Sequence, residues 1–136
     1  MENILRNNPN IHLVYVDMAK VAANRDDMNT ARLLFSTATR IFPDSPFAEH
    51  ALGNILMTRG QRTRAKKHFL RAIEFDPLFV NAHLNLAYIC VSQGKDDDAL
   101  KWFQEAVKAA PSFPDVRYQL ANHLIQMGRC LLYTSD

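Results

Sequence analysis

Long apolar runs are missing from this chain. Nowhere do about 18 apolar residues follow one another, so no segment reads as a membrane-spanning helix. Cysteine is scarce. Cys90 and Cys130 are too few for a disulfide framework, and no Cys/His cluster has metal-ligand spacing, so neither a structural zinc site nor any other metal is expected. The start, Met1 to Asn8, lacks the basic and apolar regions of a secretory signal, which points to a reducing, cytoplasm-like compartment. A net charge of +2 is too small to argue for nucleic acid by itself. Only four glycines occur, and no phosphate-cradling loop is among them. Nucleophile and paired-histidine motifs are also lacking, so neither catalysis nor a cofactor is expected. The histidines, His12, His50, His68, His83 and His123, recur at no common position and read as surface or boundary residues. No segment alternates with period two, so no strand is predicted.

What the chain does have is a period. Pro9, Pro43, Pro77 and Pro111 stand 34 residues apart. A fixed period of about 20–50 residues marks stacked helical or strand units. Aligning the chain on that period gives columns. Met18, Leu52, Leu86 and Leu120 form one, beside the small residues Ala19, Gly53, Ala87 and Ala121. Then come Ala22, Leu56, Cys90 and Leu124, and the turn column Asp26, Gly60, Gly94 and Gly128. After the turn follow Ala31, Ala65 and Ala99, then Phe35, Phe69 and Phe103, then Ala38, Ala72 and Ala106.

Each column has a physical reason. Leu52, Gly53 and Leu56 share one stripe of a helix, and Ala65, Phe69, Ala72 and Ile73 share a stripe of a second. Gly60 can end the first helix in the left-handed conformation. Pro77 cannot continue the second and disfavours helix at Asp76. Small residues at Gly53 and Ala65 allow close approach, and Phe69 fills the space left. Ser45 caps a helix that has Pro46 in its first turn; Ser92 and Ser112 read as loop residues. Asp96, Asp97 and Asp98 sit at the positive end of another helix. The spacing predicts helices over 12–24, 28–41, 46–59, 62–75, 80–93, 96–109 and 114–127.

The columns Leu52-Gly53…Leu56…Gly60…Ala65…Phe69…Ala72…Pro77 and their copies resemble the tetratricopeptide repeat family, over roughly residues 9–128. The resemblance implies an all-α fold, a right-handed α-solenoid of antiparallel helix pairs. It divides the chain into a remnant of a preceding repeat helix (1–11), three repeats (12–45, 46–79 and 80–113), and the first helix of a fourth (114–128). Residues 129–136 break the period, read as a non-repeat tail of artefactual appearance, and are expected to add no repeat contact. Three and a half units of a longer array are expected, associating through uncapped ends, since solenoid ends normally carry polar caps. Two columns depart from the family. Tyr15, Glu49, His83 and Arg117 stand where a large aromatic is usual, and Met28, Arg62 and Asp96 stand where Tyr is usual.

The resemblance also places a second stripe of each first helix on an inner groove. The expected partner-binding residues are Phe47, His50, Asn54, Asn81, Asn85, Tyr88, Tyr118 and Asn122, on one connected concave surface. Amides can pair with a peptide backbone as donor and acceptor, and aromatics bury area at low entropic cost. A carboxylate clamp is not expected. Asn54 and Asn85 match its asparagines, but His50 and Asp115 stand where lysines would, and Gln119 where an arginine would. The expected function is a scaffold binding a protein or peptide ligand. Two alternatives stand beside it: the regulatory repeats of a larger enzyme such as a glycosyltransferase, and an RNA-processing helical-repeat protein. The basic run Arg59, Arg62, Arg64, Lys66, Lys67, His68 and Arg71 would serve the latter, but it reads first as a solvated outer face. Nucleic acid and membrane are not the expected partners.

Overall fold

The structure, a computed structural model, describes residues 10–134, and side chains as far as Gly128. Of the remnant expected at 1–11, residues 1–9 lie outside the described residues. Among the described residues there are seven helices and no strand. They fall into two compact units divided between Asp76 and Pro77. The first holds α1 (Ile11–Asn24), α2 (Met28–Ile41), α3 (Pro46–Thr58) and α4 (Arg62–Phe75). In it α1 packs on α2 and α3 on α4, and α3 also meets α1 and α2. The second holds α5 (Val80–Ser92), α6 (Asp96–Ala109) and α7 (Pro114–Thr134), with α6 packed against both neighbours. The chain is thus an all-α array of helix pairs.

The turn column sets the pairing. Asp26, Gly60 and Gly94 all adopt positive φ, at 62°, 76° and 73°. Each completes the same two bonds. Gln61 N–H donates to Leu56 O at 2.9 Å and Gly60 N–H to Met57 O at 3.0 Å; the first bond recurs from Asp27 to Ala22 and from Lys95 to Cys90, the second from Asp26 to Ala23 and from Gly94 to Val91. This is the Schellman closure of a helix end. Asp26 adopts without glycine a conformation that its side chain disfavours.

Helix starts follow their signals. Ser45 Oγ accepts from Ala48 N–H at 3.3 Å, with Pro46 at the first helical position. Asp27 accepts from both the hydroxyl and the N–H of Thr30, and these bonds hold its carboxyl below the ordinary aspartate range.

The core is the small-and-aromatic columns. Ala31, Ala65 and Ala99, Phe35, Phe69 and Phe103, and Ala38, Ala72 and Ala106 are all buried. Phe69 is completely enclosed, and a Cβ placed on Gly53 would lie 2.6 Å from its Cε1. Two expectations fail. Met18 belongs to a core column but is 48% exposed, whereas Leu86 in that column is buried. Gly128 was expected to turn the chain, yet α7 runs through it to Thr134. Glycine inside a helix costs only about 1 kcal/mol, so a helix can run through it.

Candidate functional site

In the first unit, Phe47, His50 and Asn54 stand three and four residues apart on α3, which puts them on one face. Phe47 is exposed, and His50 and Asn54 are half-buried. The His50 ring lies 5.7 Å from Phe69, and burial, with Lys20 adding repulsion, lowers its pKa from 6.5 to about 4. The ring is therefore neutral at pH 7, and its Nε2 can accept the Nδ2–H of Asn54, 3.4 Å away.

That shift has a consequence for stability. As pH falls below 6.5 the unfolded chain takes up the His50 proton first. The stability is fully present above 6.5 and is lost progressively down to about 4. After allowance for solvent screening the loss is about 1–2 kcal/mol. Thermal melts from pH 7 to 4.5 should fall less steeply for His50→Leu than for wild type. Equal slopes would refute the assignment.

In the second unit, Asn81, Asn85 and Tyr88 lie on α5, and Tyr118 and Asn122 on α7. Tyr88 and Asn122 line one cavity of about 150 Å³, together with Gln119, Phe103, His123 and Met127. Tyr88 meets Phe103 edge-on at 5.9 Å, and burial raises its phenol pKa, so it remains a hydrogen-bonding hydroxyl. Asn81, Asn85 and Tyr118 lie off this cavity; Tyr118 is exposed. Met127 and Phe103 were not among the expected site residues. Phe103 belongs to a core column, and Met127 falls in no column.

Three of the five histidines depart from the surface or boundary reading, while His50 and His68 are half-buried. His12, His83 and His123 are buried, and each has a partner. His12 Nε2 shares a hydrogen bond with Ser45 Oγ at 2.8 Å, and its ring stacks on Phe42. His83 Nε2 donates to Pro77 O at 2.9 Å, and His123 Nε2 to Asp96 O at 3.1 Å. Half-apolar rings of this size fill gaps at helix crossings once one nitrogen is satisfied. The basic run is also divided. Arg62, Arg64 and Lys67 are exposed, while His68 and Arg71 turn toward Glu49. Among the described residues no group of three or more metal-ligating side chains forms, and no helix is long and apolar enough to cross a membrane.

Geometry and repeat define a class, the helical-repeat interaction proteins, and comparison with known proteins narrows it. Residues 50–114 match the sequence model of the tetratricopeptide repeat. That stretch of the chain is tetratricopeptide-repeat sequence. It is 29% identical over 105 residues to the human protein O-mannosyl-transferase TMTC3, covering 76% of this chain and 12% of that protein. The structure superposes on MamA with a TM-score of 0.69 at 18% identity, over 93% of this chain and 74% of that one. It superposes on the first TPR of Spaghetti (RPAP3), bound to the HSP90 peptide SRMEEVD, with a TM-score of 0.71 at 11% identity. That match covers 86% of this chain and 95% of the other. At such identities the likeness is one of fold.

Proposed function

We propose that the chain is a protein-interaction scaffold that binds a peptide or helix of a partner on the groove-side faces of its first helices. In the first unit the residues are Phe47, His50 and Asn54; in the second, Asn81, Asn85, Tyr88, Tyr118 and Asn122. The observation that carries this reading is the second unit's cavity, where an aromatic phenol, Tyr88, and three amides, Gln119, Asn122 and Gln126, surround an apolar floor. Such a pocket takes an apolar side chain while the amides engage the backbone beside it. The RPAP3 relative, solved with a peptide, supports a peptide as ligand. Its acidic peptide is not the expected one here, because His50 and Asp115 replace clamp lysines. The segment itself is read as non-catalytic and as working in a reducing, cytoplasm-like setting, with Cys90 buried in the core.

Peptides selected from a displayed random library on the intact chain test this. Losing one buried hydrogen-bond partner costs about 1–3 kcal/mol. Asn54→Ala with Asn85→Ala should therefore weaken a selected peptide about tenfold or more. Lys66→Ala with Lys67→Ala should leave it unchanged. The reverse pattern would move the working surface to the basic helix and defeat the reading.

The match to TMTC3 favours a second reading, in which these repeats regulate or recruit for a larger glycosyltransferase. A catalytic domain in the complete reading frame would establish it. Exposed Leu124 and Ile125 on α7, with Val14, Met18 and Val21 on α1, support association in solution. A sedimentation coefficient that does not change with concentration would exclude that.

A further inference from the structure

A second cleft lies in the first unit, on side chains separate from Phe47, His50 and Asn54. It has a volume of about 400 Å³ between α2, α3 and α4, and Arg32, Ser36, Thr39, Glu49, His68 and Arg71 supply its polar wall. Its centre is Glu49, 7% exposed, in a column where the family places an aromatic. A buried carboxylate is costly unless it is paired. Its Oε2 accepts the Nδ1–H of His68 at 2.8 Å. Its Oε1 lies 3.9 Å from Arg71 Nε, beyond hydrogen-bond distance.

The pairing leaves donors unused. With Nδ1 given to Glu49, the His68 ring is fixed, and its Nε2 has no partner among the described residues. Arg71 is held by the Glu49 charge and by the Phe75 ring, 5.8 Å from its Cζ, and neither occupies its Nη groups. Arg32 makes no hydrogen bond or ion pair among the described residues. Two guanidiniums against one carboxylate leave the cleft net positive before His68 is counted. The helix bearing Arg71 also carries Arg62, Arg64, Lys66 and Lys67, so the surrounding field has the same sign.

We propose that this cleft is a binding site for a phosphate monoester, in particular the phosphoserine or phosphothreonine side chain of a peptide. Guanidinium forks bind such groups through charge-assisted pairs of hydrogen bonds. Arg32 and Arg71 come from different helices, so they can meet different oxygens of a tetrahedral group. The hydroxyls of Ser36 and Thr39 stand on the same wall. A planar carboxylate offers two oxygens and can engage one fork well; a phosphate offers three and carries nearly twice the charge. That second charge matters in a cleft that already contains Glu49.

N-acetyl-phosphoserine amide, titrated into the intact chain at low salt and followed by amide chemical shifts, tests the proposal. Saturable shifts should centre on Ser36, Thr39, His68 and Arg71. Arg32→Gln and Arg71→Gln should each weaken binding about tenfold, and Arg32→Gln, which removes no partner of Glu49, should do so without moving the melting temperature by more than a degree or two. Lys66→Gln with Lys67→Gln, on the same helix but outside the cleft, should weaken it less than about twofold. Equal losses from both sets would mean attraction to the helix at large and would overturn the site. Equal binding of N-acetyl-aspartyl amide would overturn the phosphate assignment in favour of an acidic side chain. Tighter, Arg32-dependent binding of a short oligouridylate would overturn the peptide assignment. Absence of saturable shifts would overturn the proposal altogether. None of these outcomes bears on the groove-side reading, which rests on other residues.

Discussion

Phe69→Ala should lower the stability of the chain by about 3–5 kcal/mol. Phe69 is completely buried, and its ring fills the gap that Gly53 leaves between α3 and α4. Removing the ring forfeits its transfer energy and leaves a cavity whose walls are helix backbones and so collapse poorly. The neighbouring His50 ring, 5.7 Å away, cannot fill that space without giving up its bond to Asn54. Natural domains are stable by only about 5–15 kcal/mol, so the loss should move the urea midpoint by a large fraction of its value. A midpoint within error of wild type would mean that Phe69 does not fill the interhelical space.

The helices were legible because the period repeats every local signal together. Turn residues, small residues and aromatics recur in phase, so each unit corroborates the others, and helix limits come within a residue or so except at α7. Burial was less legible. A column records residue type, whereas burial depends on what stands opposite. Met18 occupies a leucine column and is half exposed for want of a neighbour among the described residues. Asp26 shows the reverse case, where the turn geometry prevails over the residue's own preference. The cleft around Glu49 was hidden for a different reason. Glu49 and His68 are 19 positions apart, and only the packing of α3 on α4 joins them. In sequence, Glu49 was merely a departure from an aromatic column. The groove-side face was nameable only through the family resemblance, since amides and aromatics on a helix carry no period of their own.

Gly53→Leu should cost about 1–3 kcal/mol or more, and Gly53→Ala is the sharper probe of the same contact. In an unobstructed helix interior, glycine to alanine stabilises by up to about 1 kcal/mol. Here the added Cβ would meet three atoms of the Phe69 ring at 2.6, 2.9 and 2.9 Å. Real Cβ atoms do not approach so closely, so the ring or the helix must shift, and a fully enclosed ring has little room to do so. The sign of the change therefore tells packing from propensity. Ala19 and Ala87 occupy the same column, in buried clusters that include Phe35 and Phe103, so the position is not closed to alanine in principle. What closes it is the depth of Phe69. Gly53→Ala should destabilise wild type yet become neutral or stabilising in a Phe69→Leu background, where the obstructing ring is gone. Denaturation of the four chains gives the coupling directly, as a non-additive energy between residues in contact. If Gly53→Ala stabilises wild type, or if the two changes simply add, the close approach of α4 to the Gly53 backbone is not what selects glycine there.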